Sequence, residues 1–332
     1  MTLPPLVRVL LWPLSLLYGR IARFRVWLYD KQILKQKHLS KPVISIGNLT
    51  VGGTGKTPMV IWLAERLLAE GHRVGILSRG YKGTTGTSDE IELMKFRLRD
   101  RALFGVGPDR FALGKRLESR VDIFLLDDGF QHLGLARDLN ILLIDASQPL
   151  ARQTLLPTGR LREPLSAMTR ADVLVFTRTE TVAGSNAAIE KLQDFPVFSA
   201  STRLLGFRRL GADTQTLSPG QIGSGPFYGF CGIGNPRAFF QDLQNWNVPL
   251  ADRCEFPDHH CYDSRDVREL EEAAGRAGAT ALLTTEKDAE NLRNVRFAGT
   301  PVYITLIDFE ISKIDAFLSL VREKTSSRVS VA

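Results

Sequence analysis

Apolar runs and helical stretches alternate along the first two thirds of the chain. The apolar runs predict strands that start at Pro42 and span 73–77, 121–126, 140–144 and 172–177. Near-continuous apolar runs of this length are typical of parallel strands that are buried on both faces. Helical spacing over 59–70, ended by Gly71, separates the first two runs. The pattern predicts an α/β fold with a mostly parallel sheet and helices on both faces.

A second, shorter series of predicted strands and helices follows residues 203–225, where the amino-acid composition changes. That stretch combines arginines with the turn sequences Ser218-Pro219-Gly220 and Gly223-Ser224-Gly225, which favour short strands and turns. Beyond it the pattern predicts strands at 226–230, 281–285 and 301–306 and helices at 237–246 and 311–321. We therefore expect a larger domain over 42–202, a β-ribbon linker over 203–225 and a smaller α/β domain over 226–325.

The N-terminal segment, residues 1–41, has a different character. Residues 3–18 are apolar apart from Arg8, but prolines interrupt the run, and the remaining piece is shorter than the roughly 20 residues that cross a bilayer. Leu17, Ile21, Phe24 and Leu28 then share one helical face. This basic amphipathic segment predicts a helix on the surface of an anionic membrane. The alternative is a helix that packs the same face on the folded domain.

Charge and cysteine content narrow the class of protein. Residues 1–41 hold eight lysines and arginines against Asp30 alone, so they carry the whole net charge of +7. Nucleic-acid-binding proteins spread basic charge over a folded face, so we expect no nucleic-acid partner, and nothing implies a protein partner. The three cysteines, Cys231, Cys254 and Cys261, favour a reducing compartment over a disulfide framework.

The stretch between the first strand and the first helix carries the strongest chemical signal. It follows the phosphate-binding pattern G-x-x-x-x-G-K-[ST], except that Thr50 replaces the first glycine. Glycines let successive backbone N–H groups converge on a phosphate, and the helix N-terminus adds further donors. Lys56 would reach the β- and γ-phosphates, and the Thr57 hydroxyl would bind Mg²⁺. The predicted nucleotide-binding residues are Thr50, Val51, Gly52, Gly53, Thr54, Gly55, Lys56 and Thr57.

Two carboxylates end the third predicted strand. Asp127 and Asp128 follow the apolar run 121–126, in the pattern of the acidic strand end that helps to hold Mg²⁺ beside a phosphate-binding loop. Side chains of neighbouring strand residues point to opposite faces, so we expect one of the two to meet the metal directly.

The ordered set of motifs resembles the tetraacyldisaccharide 4′-kinase family, which makes lipid A for the Gram-negative outer membrane. The resemblance covers nearly the whole chain. It rests on the phosphate-binding stretch and on Ser78-Arg79-Gly80-Tyr81, Asp89-Glu90, Asp127-Asp128-Gly129-Phe130-Gln131-His132, Leu156-Pro157-x-Gly159-Arg160-Leu161-Arg162-Glu163-Pro164, Asp258-His259-His260 and Thr285-Glu286-Lys287-Asp288. A single phosphate-binding loop is weak evidence, whereas this ordered set is specific. Ser88 and Ile91 stand where the family's acidic motif has Gly and Pro.

The resemblance implies a fold of the P-loop NTPase type and an ATP- and Mg²⁺-dependent kinase. The implied substrate is a lipid disaccharide 1-phosphate, phosphorylated on its 4′-hydroxyl to the 1,4′-bisphosphate at the cytoplasmic face of the bacterial inner membrane. Asp89 is the implied catalytic base and His259 its partner, with His260 as the competing histidine. Because Asp89 and His259 fall in different predicted domains, their pairing would couple the chemistry to domain closure.

The remaining implied site residues supply charge around the transferred phosphate. Lys56 and Asp128 complete the implied catalytic set. The implied magnesium ligands are Thr57, Asp127, Asp128 and Glu163.

Two other functions are compatible with a phosphate-binding loop. A membrane-associated switch ATPase without a lipid acceptor would carry a lysine directly before the paired glycines, where this chain has Val51. Such a protein would also leave the Asp89 and His259 motifs without a role. A nucleotide-sensing module without catalysis would leave the second domain without a role. ATPase assays with and without a lipid acceptor separate the three functions.

Overall fold

The structure is a computed structural model that describes residues 4–80, 88–148, 150, 153–179, 195–212 and 215–326. The described residues form two compact units. The first unit holds residues up to Gly80, Leu98–Ser201 and the residues from Phe309 onward, and the second holds 88–97 and Thr202–Asp308. Each unit therefore combines segments that are distant in sequence.

In chain order the elements are α1 (Pro5–Asp30), β1 (Val43–Asn48), α2 (Lys56–Ala69), β2 (Val74–Ser78), α3 (Asp89–Leu98), β3 (Ala102–Val106), α4 (Arg110–Leu117), β4 (Ile123–Asp127), β5 (Leu139–Asp145), β6 (Val173–Thr177), β7 (Val197–Arg209), β8 (Phe227–Cys231), α5 (Pro236–Asn245), β9 (Leu250–Glu255), α6 (Ser264–Arg276), β10 (Ala281–Thr285), α7 (Glu286–Asn291), β11 (Val302–Ile311) and α8 (Ile314–Ser326). Helices and strands alternate up to β4 and again from β8 onward, whereas β4 to β8 follow one another with no α-helix among the described residues between them.

Parallel strands build both units. In the first unit the strand order is β3-β2-β4-β1-β5-β6-β7, and each neighbouring pair is parallel. In the second unit the order is β11-β10-β8-β9, again with parallel neighbours. This arrangement confirms the predicted mostly parallel α/β fold.

The central strands of the first unit are buried, and most of their side chains are apolar. All six residues of β1 and all five of β4 are buried. Parallel strands end at one edge of the sheet, and ligands of open α/β sheets bind at that edge. In the first unit Asn48, Asp127, Asp145 and Thr177 end four neighbouring strands there.

Helix α1 uses its small and polar residues to contact the first unit. The Ser15 hydroxyl donates to the Leu155 carbonyl at 3.2 Å, and the Tyr18 hydroxyl donates to the Arg162 carbonyl at 2.8 Å. No helix among the described residues has the length and apolar character that a membrane crossing needs.

The apolar face predicted for this segment is not packed on the first unit. Leu17, Ile21 and Phe24 are 53%, 59% and 58% exposed. The alternative interpretation, that this helix packs its apolar face on the folded domain, is therefore wrong.

Two predictions about the elements are wrong, and β3, β9 and α6 were not predicted at all. The polar stretch at 88–90, expected to be a loop, begins α3, because the Ser88 side chain accepts a hydrogen bond from the Ile91 N–H and its carbonyl accepts one from Glu92. Helix α8, expected in the C-terminal domain, belongs to the first unit. Its Phe317 packs against Trp62 and Phe198, with ring centroids 5.8 and 5.1 Å apart.

Candidate active site

The loop between β1 and α2 has the geometry of a phosphate-binding loop. It leaves the end of a central strand at Asn48 and enters a helix at Lys56. Gly52 and Gly55 have φ angles of 105° and 85°, in the left-handed region that favours glycine. A Cβ atom at Gly55 would also lie 2.9 Å from the Phe309 ring. The path of this loop therefore requires glycine at positions 52 and 55, whereas a Cβ atom at Gly53 would meet nothing within 4 Å.

Hydrogen bonds hold the loop from two sides. The Asn48 side-chain amide donates to the Thr54 hydroxyl at 2.8 Å, and the Thr177 hydroxyl donates to the Thr54 carbonyl at 3.2 Å. On the other side the Arg160 guanidinium donates to the Val51 carbonyl at 2.8 Å, and the Val51 N–H donates to the Arg160 carbonyl at 2.8 Å. These bonds keep the loop in place ahead of ligand binding.

A lysine, an arginine and a carboxylate meet beside the loop. Lys56 Nζ donates to Asn48 Oδ1 at 3.3 Å and lies 3.7 Å from Asp128 Oδ1. Both terminal nitrogens of Arg162 donate to the Asp128 carboxylate at 2.8 Å, and one also donates to Asn48 Oδ1. Two cations thus face one carboxylate, which leaves net positive charge for a phosphate.

The backbone φ angle and the carboxyl pKa of Asp128 both depart from their ordinary values. Its φ angle is 47°, which is uncommon for a residue other than glycine. Burial raises the pKa of Asp128, but the hydrogen bonds from Arg162 and the charge of Lys56 outweigh burial and hold the pKa at about 2. Asp128 is therefore ionised at every physiological pH.

The three other predicted magnesium ligands differ in their surroundings. Thr57 is the second residue of α2. Asp127 ends β4, is buried, and accepts a hydrogen bond from the Ser78 hydroxyl at 2.9 Å. Glu163 is buried and forms an ion pair with Arg170 at 2.7 Å.

Thr57 and Asp127 fit a magnesium ion that arrives with a nucleotide. Within the described ranges no three His, Cys, Asp or Glu side chains converge as a metal cluster. A nucleotide-bound magnesium ion needs only one or two carboxylates, because phosphate oxygens and water complete its shell. β4 lies next to β1, so Asp127 and the start of α2 meet at one sheet edge. At Asp128 or Glu163 the ion would have to displace an arginine.

The second unit brings Asp89 and His259 together. Asp89 is the first residue of α3, and His259 lies in the loop after β9. His259 Nδ1 is 3.0 Å from each carboxylate oxygen of Asp89. The Asp89 side chain is 4% exposed and that of His259 is 48% exposed. Since both residues belong to one unit, their contact does not need the domain closure that the sequence led us to expect.

Their pKa values move in opposite directions. The hydrogen bond with Asp89 raises the pKa of His259, against the effects of burial and of the Lys287 charge. Burial raises the pKa of Asp89, but the hydrogen bond from His259 and the charge of Lys287 outweigh it, so the net pKa lies below its ordinary value. Both shifts favour a carboxylate beside an imidazolium.

His260 has a different environment. Its Nε2 is 2.9 Å from Asp266, and its ring stacks on Phe256 with centroids 4.6 Å apart. An edge-on contact with Tyr262 completes the packing. The geometry therefore places His259 beside Asp89 and His260 in a packed cluster.

Lys287 also lies in this site, although no role was predicted for it from the sequence. Its Nζ donates to Asp258 at 2.9 Å and is 3.6 Å from Asp89 Oδ2. Its one sequence signal is its place in the motif Thr285-Glu286-Lys287-Asp288. The motif alone does not indicate that Lys287 lies near Asp89 in the folded chain.

The parallel sheet, the glycine loop and the lysine at the start of α2 define a P-loop nucleotide-binding protein. A family model described as tetraacyldisaccharide-1-P 4′-kinase (LpxK) matches residues 7–325. The chain belongs to the tetraacyldisaccharide 4′-kinase family.

Named relatives agree with this membership. A tetraacyldisaccharide 4′-kinase of Geobacter metallireducens is 40% identical over 92% of this chain and 95% of that protein. One from Geobacter sulfurreducens is 39% identical over 88% of this chain and 86% of that protein. The crystal structure of LpxK from Aquifex aeolicus in complex with ATP is 31% identical, with a TM-score of 0.74 over 96% of this chain and 99% of that one.

Proposed function

We propose that this protein transfers the γ-phosphoryl group of ATP to the 4′-hydroxyl of a tetraacyldisaccharide 1-phosphate in lipid A biosynthesis. The 4′-oxygen forms a bond to the γ-phosphorus, the bond between that phosphorus and the β–γ bridging oxygen breaks, and ADP leaves. The hydroxyl proton passes to a base of the protein. Family membership supports the substrate class, and the residues of the two units support the chemistry.

The observation that carries the proposal is the buried Asp89 carboxylate held by His259. A sugar hydroxyl is a poor nucleophile, so a carboxylate aligned on its proton assists the attack. The imidazole fixes both carboxylate oxygens at 3.0 Å and keeps Asp89 ionised. We assign Asp89 as the base and His259 as the residue that orients it.

The phosphate-binding loop supplies positioning and charge. The backbone N–H groups of residues 50–57 hold the phosphates, and Lys56 neutralises charge on the β- and γ-phosphates. Mg²⁺ arriving with the nucleotide would offset the charge of the phosphates. Thr57 and Asp127 would hold the ion, while Asp128 keeps Lys56 beside the loop at 3.7 Å.

The test is phosphate transfer to the lipid. Purified protein is incubated with γ-labelled ATP, Mg²⁺ and the disaccharide 1-phosphate in detergent, and label in the lipid is counted. We expect label in the lipid with the wild type and none with Lys56→Ala. ATP hydrolysis that is equal with and without acceptor, and leaves the lipid unlabelled, would indicate a switch ATPase instead.

We further propose that α1 places the protein on an anionic membrane surface, the cytoplasmic face of the bacterial inner membrane. The helix exposes a broad apolar face, with Leu10 at 79% exposed, while Ser15 and Tyr18 hold its other side to the first unit. Arg20, Arg23 and Arg25 follow on the same helix and suit anionic headgroups.

Vesicle flotation tests the surface proposal. We expect the wild type to float with phosphatidylglycerol-containing vesicles and Leu10→Glu to lose most of that binding, because the change removes apolar contact and adds negative charge. Leu205→Glu makes the same change at an exposed position of the second unit and is the matched control. Equal flotation of Leu10→Glu and the wild type would contradict the proposal.

A further inference from the structure

Lys287 contacts Asp89, His259 and Asp258. Its Nζ is 2.9 Å from Asp258 Oδ1, 3.6 Å from Asp89 Oδ2 and 3.5 Å from His259 Nε2. Its side chain is 17% exposed, so the ammonium lies largely out of water. A lysine placed this way costs desolvation, which the neighbouring carboxylates offset.

The residue before Lys287 connects it to the helix that carries Asp89. Glu286 is buried and accepts from Arg97 Nη1 with both oxygens, at 3.0 and 3.1 Å. Arg97 lies on α3, whose first residue is Asp89, and also donates to the Ile307 carbonyl at 3.1 Å. The start of α7 is therefore fixed to α3.

The residue after Lys287 connects it to the loop that carries His259. The fully buried Asp288 carboxylate accepts from the Gly232 N–H and from the Tyr262 hydroxyl, each at 2.8 Å. The Gly232 carbonyl in turn accepts from the His259 N–H at 3.1 Å. Lys287 thus lies between two buried carboxylates. Glu286 is bonded to the helix that carries Asp89, and Asp288 is bonded through Gly232 to the loop that carries His259.

We propose that Lys287 is a positioning residue of the phosphoryl transfer, whose ammonium keeps Asp89 ionised and directed at His259. The inference rests on the proposed role of Asp89 as the base. Asp89 and Asp258 carry negative charge, while His259 and Lys287 carry positive charge, so the four groups balance when His259 is protonated. Loss of the lysine would leave two carboxylates facing one imidazole.

The charges around Asp89 give the direction of the effect. The groups that face it are His259, Lys287 and, through the lysine, Glu90 and Asp258. Burial raises the pKa of Asp89, and the hydrogen bond from His259 and the charge of Lys287 together reverse that effect. The Lys287 charge also opposes the rise in the pKa of His259 that its hydrogen bond with Asp89 causes. Removing the ammonium therefore raises both pKa values.

The first measurement is the pH profile of kcat/KM for phosphate transfer. We expect Lys287→Met to lose roughly tenfold at the acidic end and to approach the wild type at alkaline pH, where Asp89 ionises without help. Lys287→Arg keeps the charge and should keep the profile. Lys95→Met, which removes a lysine paired with Glu92 on α3, should leave the profile unchanged. A loss in Lys287→Met that is the same at every pH would indicate a merely structural residue and overturn the proposal.

The second measurement does not depend on activity. NMR titration of ¹³C-labelled histidine, with the His259 signal identified by its loss in His259→Gln, follows this imidazole directly. We expect the His259 pKa to be higher in Lys287→Met than in the wild type, and an unchanged titration would overturn the proposal. Asp89→Asn is assayed in parallel. Undiminished transfer by that variant would contradict the proposed base, whereas the titration still reports on Lys287.

Discussion

The contact between Asp89 and His259 predicts that the two residues act as one in catalysis. The perturbation is a pair of alanine substitutions, made singly and together. Asp89→Ala removes the proposed base, and His259→Ala removes the group that fixes both of its oxygens at 3.0 Å. If the histidine acts only through the carboxylate, removing it from a protein that already lacks Asp89 should cost nothing more.

The expected magnitudes follow from the geometry. A positioned general base contributes roughly 10²- to 10⁴-fold to the rate, so Asp89→Ala should lower kcat by about that factor. A hydrogen bond between charged groups contributes about 1.5–3 kcal/mol, and the half-exposed imidazole places His259 at the low end of that range. Since 1.36 kcal/mol corresponds to tenfold, His259→Ala should cost roughly tenfold in kcat.

The pH dependence supplies an internal check with a defined sign. Without the hydrogen bond from His259, the effect of burial on Asp89 is opposed mainly by Lys287, so the carboxyl pKa rises relative to the wild type. The kcat of His259→Ala should therefore fall more steeply than that of the wild type as the pH is lowered, and recover as it is raised.

The assay is kcat for phosphate transfer in the four proteins, with ATP affinity measured separately. We expect the double variant to match Asp89→Ala within about a factor of two, which is strong non-additivity. His260→Ala is the control and should cost far less, because that ring packs on Phe256 and contacts Asp266. Losses that multiply in the double variant, with ATP binding intact throughout, would show that Asp89 and His259 act independently.

Two further predictions concern the metal and the scaffold. Asp127→Asn should raise the Mg²⁺ concentration that gives the half-maximal rate. Ser78→Ala removes a hydrogen bond to that carboxylate and should raise this concentration less. Equal Mg²⁺ titrations of the wild type and both variants would exclude Asp127 as a ligand. Arg97→Met leaves the buried Glu286 without its ion-pair partner and should lower the free energy of unfolding by about 3–5 kcal/mol. Because the Glu286 pKa, already raised by burial, rises further in that variant, its loss of stability should shrink as the pH falls and the carboxyl protonates. Thermal unfolding of Arg97→Met with and without Glu286→Gln checks this, and a double variant no more stable than the single one would refute it.

Local patterns were enough to predict the glycine-containing loop between β1 and α2. The glycine positions, Lys56 and the apolar strand before them all act within one stretch of chain, and the backbone angles of Gly52 and Gly55 agree with that pattern. The capping signal at Asp109 is equally local, since its side chain accepts from the Ala112 N–H at 3.0 Å where α4 begins. Such signals need no knowledge of the tertiary fold.

The contacts around Asp89 could not be predicted from local sequence patterns. Arg97 and Glu286 are 189 positions apart, and Asp89 and His259 are 170 apart, so no periodicity relates them. The resemblance to a family paired Asp89 with His259 but gave Lys287 no function. The position of Lys287 depends on the buried carboxylates of Glu286 and Asp288. Only folding of the chain brings these carboxylates to their hydrogen-bond partners.

The most direct test of the proposed function is the position of the new phosphate in the product. Wild-type protein is incubated with ATP, Mg²⁺ and tetraacyldisaccharide 1-phosphate, and the extracted lipid is analysed by tandem mass spectrometry and ³¹P NMR. We expect a 1,4′-bisphosphate whose second phosphate is on the distal sugar, formed in step with ADP. A lipid that keeps a single phosphate while ADP accumulates, or that carries the second phosphate on another hydroxyl, would contradict it.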